Sequence, residues 1–349
     1  MEITLRRERK IGAGHPAYII AEVGSNWTSL EDCLESILQA KIAGADAVKF
    51  QLFTVEELFG IHPNEAQHLF PHLKVGDNCN PYALNPEWLP KLKAESDKRG
   101  IDFMCTAFSP EGYDIVNPYV DIHKVASSEC CHLRILQKLR QLGKPVILST
   151  GAKGVDDIRG AVEILTEVNS WDQHPPVPTI LLYCAVAYPA SEVKLETINL
   201  MREQFGTLVG FSDHSTDVYT IPRTAVTSLS ATVLEKHFTA ISARTPDSPH
   251  SLTVDQFKSM VGAIRDGVVP SIGPTHEEKT ALLRYNRRLI ITKDVAHGDQ
   301  LQEGVNFGIY RSLVDDTRAA HPFMVDNFIG KRAKIPLKAG QGLWVEDVE

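Results

Sequence analysis

Eight times between residues 17 and 239 the chain passes through a short, largely β-branched and apolar run, and amphipathic stretches separate most of the runs. The candidate strands are 17–24, 46–52, 102–108, 122–128, 145–151, 179–186, 208–213 and 231–239. Helical patterns follow at 29–44, 86–99, 131–142, 154–168, 193–206 and 253–266, the first opening on Ser29-Leu-Glu-Asp32 and stopping at Gly44. Strands apolar on both faces and spaced by helices define a parallel sheet covered on its outer side. Eight such units with no ninth predict closure into a (β/α)8 TIM barrel, the alternative being an open doubly wound sheet.

The 349 residues are 43% hydrophobic and 23% charged, enough for a large core and a second small domain. The barrel is expected over 1–275 and a polar linker over 276–288. A small β-rich domain is expected over 289–349, where Gly298-Asp-Gln-Leu301 and Gly340-Gln-Gly-Leu343 form a weak internal repeat, followed by Val305 and Val348. A formal net charge of -8 gives no basic footprint, so no nucleic-acid partner is expected. Six cysteines without CxxC pairs read as reduced thiols of a cytoplasmic protein. No apolar run approaches the ~18 residues of a membrane span, and no export signal is read near the amino terminus.

In a barrel of this class the active site forms at the carboxyl ends of the strands, and those ends are polar here. Glu22 closes the first, Lys49 and Gln51 the second, and Thr106 sits in the third; Lys124 and Ser127, with Glu129 beyond, mark the fourth. Ser149 ends the fifth, Tyr188 follows the sixth, Ser212 and His214 end the seventh, and Glu235, Lys236 and His237 end the eighth. Lys49, Lys124 and Lys236 each interrupt an apolar run, and an ammonium is not buried without a partner. A salt bridge to Glu22, Glu129 or Glu235 would satisfy any one of them. Three together, with hydroxyls at Thr106, Ser127, Ser149 and Ser212, predict a socket for an anion bearing phosphate and carboxylate. His214 and His237 end adjacent strands, which favours one shared divalent ion in an open-sided Mn2+ or Mg2+ site over two satisfied core histidines.

At these residues the chain resembles the N-acetylneuraminate (sialic acid) synthase family. The matching segments, in order along the barrel, are Ile20-Ala-Glu-Val-Gly24, Gly44-Ala-Asp-Ala-Val-Lys-Phe-Gln51, Lys124-Val-Ala-Ser-Ser-Glu129, Gly143-Lys-Pro-Val-Ile-Leu-Ser-Thr-Gly151, Gly210-Phe-Ser-Asp-His214 and Glu235-Lys-His-Phe-Thr239. The carboxyl-terminal module is similar to that family's antifreeze-like (SAF-type) domain. The resemblance implies a transferase that forms a C–C bond between phosphoenolpyruvate and a hexosamine-type, N-acetylmannosamine-like aldehyde, releasing phosphate. It implies phosphoenolpyruvate contacts at Lys49, Gln51, Thr106, Lys124, Ser127, Ser149 and Ser212, and a metal on His214 and His237. Catalytic roles fall to Glu22, Glu129 and Lys49, sugar contacts to Tyr188, Asp247 and Arg311, and the assembly to a domain-swapped homodimer.

The chain departs from the family where Asn26-Trp27-Thr28-Ser29 replaces Asn-His-Asn-Gly, Val186 an asparagine and Ala107 a proline. Pro246-Asp-Ser-Pro-His250 replaces a tighter Pro-Asp-His, and Arg311 and Arg318 both lack the family's Arg-Pro-Gly context. These changes fall on acceptor contacts and leave the acceptor open. Two other readings of the same residues are a Schiff-base barrel aldolase using Lys124 or Lys236, and a non-catalytic sugar-binding paralogue.

Overall fold

The computed structural model describes residues 2–54, 57–58, 60, 83–168, 174–266, 287–311 and 318–349, in two compact units, Met1–Pro270 and Ser271–Glu349. Most of the long 53–85 connection and of the expected linker lie outside the described residues.

The first unit opens with a hairpin of β1 (Glu2–Thr4) and β2 (Lys10–Gly12). Eight parallel strands follow: β3 (Tyr18–Glu22), β4 (Ala47–Leu52), β5 (Asp102–Ala107), β6 (His123–Val125), β7 (Val146–Ser149), β8 (Thr179–Cys184), β9 (Leu208–Asp213) and β10 (Val233–Thr239), with the two-residue β11 (Leu252–Thr253) paired to the end of β10. β10 pairs with both β9 and β3, so the sheet closes into the expected TIM-type barrel. Every candidate strand is present, 208–213 unchanged and the others trimmed at their ends; 122–128 shrinks to β6 because a 3-10 turn over Ser127–Glu129 takes up its tail. The first helix, Leu30–Ile42, starts where Ser29 accepts a hydrogen bond from the Asp32 amide. Among the described residues, the helices Pro110–Val116 and Thr220–Arg223 were not expected. Pro110–Val116 is short but well started, with Ser109 accepting from the Gly112 amide and Pro110 at the first position. Thr220–Arg223 runs into a π-helical turn over Thr224–Ser228.

Side-chain alternation along each strand sorts residues between two compartments. Ala47, Ile20, Met104, Ile147 and Val233 fill the barrel interior, with Ile3, Leu5 and Ile11 of the hairpin in the same cluster. Val48, Phe50, Val209, Phe211, Leu234 and Phe238 face the helices instead. The interior is tight: a Cβ at Gly210 would stand 2.4 Å from the Val233 carbonyl and 2.7 Å from Leu182 Cδ2, so only glycine fits there.

The second unit is small and rich in β pairing, with β12 (Arg287–Ile291) antiparallel to β13 (Phe307–Arg311) and isolated bridges joining Val295 to Leu337 and Ala333 to Val348. β12 begins at Arg287, inside the stretch read from the sequence as linker. The weak repeat has a structural counterpart. Gly298 and Gly340 both take left-handed backbone, with φ of 85° and 90°, and Leu301 and Leu343 both enter this unit's core. The valines do not correspond, since Val348 is buried and Val305 is exposed.

Candidate active site

A cavity of about 300 Å3 opens at the carboxyl ends of the barrel strands, at the small end of the range for ligand pockets. Its walls include Glu22, Lys49, Gln51, Thr106, Lys124, Ser127, Ser149, Tyr188, Ser212, His214 and His237, all singled out from the sequence, together with Phe108, Cys184, Val186 and Glu235. Strand register explains the convergence. Glu22 is level with Lys49 on one side and His237 on the other, Gln51 with Thr106, and Thr106 with Lys124.

The charges form a chain. Lys49 Nζ lies 2.8 Å from Glu22 Oε2 and 3.5 Å from Glu235 Oε1, and donates to Thr106 Oγ1 at 3.1 Å. Lys124 Nζ stands 3.7 Å from the same Glu235 oxygen and donates to the Val125 carbonyl. Burial alone would discharge Lys49, but the Glu22 and Glu235 carboxylates outweigh it and hold the ammonium above its ordinary range. Lys124 goes the other way: burial lowers it and Glu235 only partly compensates, so its charge is under-balanced. Burial also raises Glu22, while Lys124 and Lys49 together bring Glu235 below the usual carboxylate range despite its burial. Ser149 Oγ is buried with no hydrogen-bond partner. An under-balanced ammonium beside an unsatisfied hydroxyl suits an anion that accepts from both.

Next to this socket lies a cluster of imidazoles. The His214 and His237 rings are 5.4 Å apart, His237 and His250 4.6 Å, and Tyr188 packs on His214 at 4.2 Å. One donor atom each from His237, Asp247 and His250 can be chosen so that all lie within 4.8 Å of one another. His237 Nδ1 and His250 Nε2 are buried without hydrogen-bond partners. Burial lowers all three histidines, His214 to about 4, which leaves neutral rings able to bind a cation. The donor set therefore fits a divalent metal. His214 stands outside that trio, its Nδ1 3.0 Å from the Ala185 carbonyl. Asp247, expected at the sugar, lies in it: Oδ2 accepts from the Ser25 amide at 2.8 Å, and a Cβ at Gly24 would stand 2.2 Å from that oxygen.

Three sequence expectations are corrected or left apart. Lys236 is not part of the socket: it follows Glu235 by one residue, so strand alternation turns it outward, where its Nζ lies 2.7 Å from Asp213 Oδ2 with both side chains fully buried. Glu129 does not line the cavity, because the 3-10 turn carries it off the strand and its charge bears on Tyr113 instead. Arg311 ends β13 in the second unit, where Arg318 lies over the Trp344 ring at 3.5 Å. Two residues were missed. Glu235, which bridges both socket lysines, was read only as one possible salt-bridge partner of a single lysine, and its facing both Lys49 and Lys124 across the barrel depends on register. His250 was seen only as a departure from a motif.

Trp27 is buried, its indole N–H donating to the Gly24 carbonyl at 3.1 Å and its ring edge-on to Trp88. Its neighbour Asn26 donates to the Phe238 carbonyl and Ser251 Oγ and accepts from Thr245 Oγ1. Loop 24–28 is thereby fastened to loop 245–251, which carries Asp247 and His250.

Fold and site together define a barrel enzyme of anion and metal chemistry, with lysines and hydroxyls on one side of its mouth and imidazoles on the other. The chain belongs to the NeuB family, the sialic acid synthases, whose model matches residues 36–272. A pseudaminic acid synthase of Helicobacter pylori is 29% identical over 354 residues, 96% of this chain and 98% of that one. An uncharacterised protein of Methanocaldococcus jannaschii is 33% identical over 304 residues, 84% and 85% of the two chains. Among solved structures, the N-acetylneuraminic acid (sialic acid) synthetase of Leptospira borgpetersenii matches with a TM-score of 0.67 and 30% identity, covering 81% of this chain and 95% of that one.

Proposed function

We propose that the chain is a nonulosonic acid synthase: C3 of phosphoenolpyruvate attacks the aldehyde of an open-chain, N-acetylmannosamine-like hexosamine, water adds at C2, and phosphate leaves with C–O cleavage. The observation that carries this reading is one cavity in which Lys49, Lys124 and the unsatisfied Ser149 hydroxyl face a cluster of neutral imidazoles. The names of the Helicobacter pylori and Leptospira borgpetersenii relatives point to the same reaction class. A Schiff-base aldolase finds less support. Lys236 is committed to Asp213 outside the cavity, and a pyruvate imine does not account for the imidazole cluster.

In this reading Lys49, Lys124, Ser127, Ser149 and Ser212 hold the phosphate and carboxylate of phosphoenolpyruvate, with Gln51 and Thr106 orienting Glu22 and Lys49. Glu22, raised by burial, exchanges a proton near the reacting carbons. Glu235 keeps the two ammonium groups charged and in place. His214 and His237 would hold a divalent ion, manganese or magnesium, and such an ion supplies Lewis acidity toward the aldehyde oxygen. Tyr188 and Val186 stand at the mouth, where the sugar would lie. The 289–349 module is read as an antifreeze-like lid supplied by the partner in a cytoplasmic, domain-swapped homodimer, with Arg311 a candidate sugar contact.

The test is phosphate release from phosphoenolpyruvate with N-acetylmannosamine and with bacillosamine-derived hexoses, with and without Mn2+. Aldehyde-dependent release with a nine-carbon product supports the reading. Borohydride trapping of a pyruvate adduct on Lys124 would replace it with the aldolase.

A further inference from the structure

His250 has no role in the function proposed from the family pattern, yet its side chain is 6% exposed and its Nε2 has no hydrogen-bond partner. It lies in the 3-10 turn Ser248–His250, which the Asn26 and Asp247 hydrogen bonds tie to the loop after β3. Its Nε2 is 3.6 Å from Asp247 Oδ1, and His237 Nδ1 is 4.0 Å from Asp247 Oδ2. Two ligands bound to one ion at ~2.1 Å each are separated by at most ~4.2 Å. Each separation suits a shared ion, and because they run to different oxygens of Asp247, one ion between the two rings would take that carboxylate through both oxygens. A buried imidazole nitrogen left without a partner costs stability unless something binds it. Asp247 at 3.6 Å is too far to be that partner by a direct hydrogen bond.

We propose that His250 is a ligand of the divalent metal, making with His237 and Asp247 a nitrogen-rich site that selects a first-row transition ion against magnesium. Imidazole nitrogen favours such ions, with affinity rising from Mn2+ through Co2+, whereas Mg2+ prefers oxygen donors and keeps its waters. The inference rests on the synthase reading only in placing the metal beside the substrate socket; the ligand assignment stands on the donor geometry.

The test uses the full-length protein stripped with chelator and titrated with CoCl2, MnCl2 or MgCl2 alone, reading calorimetric affinity and the visible absorption of bound Co2+. The expected order of affinity is Co2+ over Mn2+ over Mg2+. His250→Ala and the volume-filling His250→Phe should each weaken Co2+ binding about tenfold or more, the scale on which metal sites respond to lost support, and alter the Co2+ spectrum. They should also narrow the Co2+/Mg2+ ratio. Circular dichroism confirms that each variant is folded. Unchanged Co2+ affinity and spectrum in a folded His250→Phe would overturn the assignment. Failure of the wild-type protein to bind phosphoenolpyruvate while binding Co2+ would instead strike the synthase reading and leave His250 as a ligand.

Discussion

Lys236 and Asp213 form an ion pair with no solvent exposure, fixed from both ends: Lys236 also donates to the Ser215 carbonyl and hydroxyl, and Asp213 accepts from the Ser215 amide at 2.8 Å. Burial pushes Asp213 up and Lys236 down, each against the pull of its partner, so the pair is held in place without fully recovering its hydration. Lys236→Met leaves a buried carboxylate alone, which costs about 3–5 kcal/mol. That is a large part of the ~5–15 kcal/mol that keeps a domain folded. In a barrel of this size it corresponds to a melting temperature lower by roughly 6–20 °C. Adding Asp213→Asn removes the stranded charge and keeps an acceptor for the Ser215 amide. The double variant should then lie only ~1–2 kcal/mol below wild type, the cost of the Ser215 carbonyl and hydroxyl losing a donor. Urea unfolding of wild type, both single variants and the double, in chelator and at one pH, measures the cycle. A Lys236→Met loss below ~1 kcal/mol, or a double variant as unstable as the sum of the singles, would refute the reasoning.

Three further outcomes are expected. His214→Ala and His237→Ala should each abolish condensation and weaken divalent-metal binding while the barrel stays folded; full activity in either would remove it from the metal. Lys49→Ala and Lys124→Ala should each weaken phosphoenolpyruvate binding by about 2–5 kcal/mol, read by calorimetry, because each strips one partner from a desolvated charge cluster. His123 is buried and lowered to about 3 by that burial and then by Lys144, so the unfolded chain binds this proton more readily. The stability it contributes is full above pH ~6.5 and is lost as pH falls toward 3, on the order of 4–5 kcal/mol in all; His123→Phe should flatten that acid limb in urea titrations at pH 7, 5 and 4.

The barrel was legible because a strand buried on both faces and a helix buried on one leave different periods, and those periods survive in a single sequence. Ser29 and Gly44 marked the first helix, since capping and left-handed backbone are local matters. The residues that line the cavity were legible because a polar group at a barrel strand's carboxyl end has few other reasons to be there. What strand position alone could not give was which way a residue faces. Glu235, Lys236 and His237 are consecutive and all polar, and only the pleat separates the two that line the cavity from the one that locks the wall. His250 was illegible for a different reason: it sits in a 3-10 turn with no period to read, and its meaning comes from loop 24–28, more than two hundred residues earlier.

That distance bears on how the molecule comes together. The imidazole cluster lies on the seam where the last barrel strand meets the first, and Ser25 and Asp247, which meet across it, are 222 residues apart in the chain. On the proposed assignment, every phosphoenolpyruvate contact up to Ser212 is made before the proposed cation ligands exist as a set, so an incomplete barrel would have no place to capture an ion. Once the seam is shut, an ion at a hundred times its dissociation constant adds about 2.7 kcal/mol to the closed form alone. Metal uptake would thus act as a latch on the finished ring, and a chain stalled before β10 would be left without one.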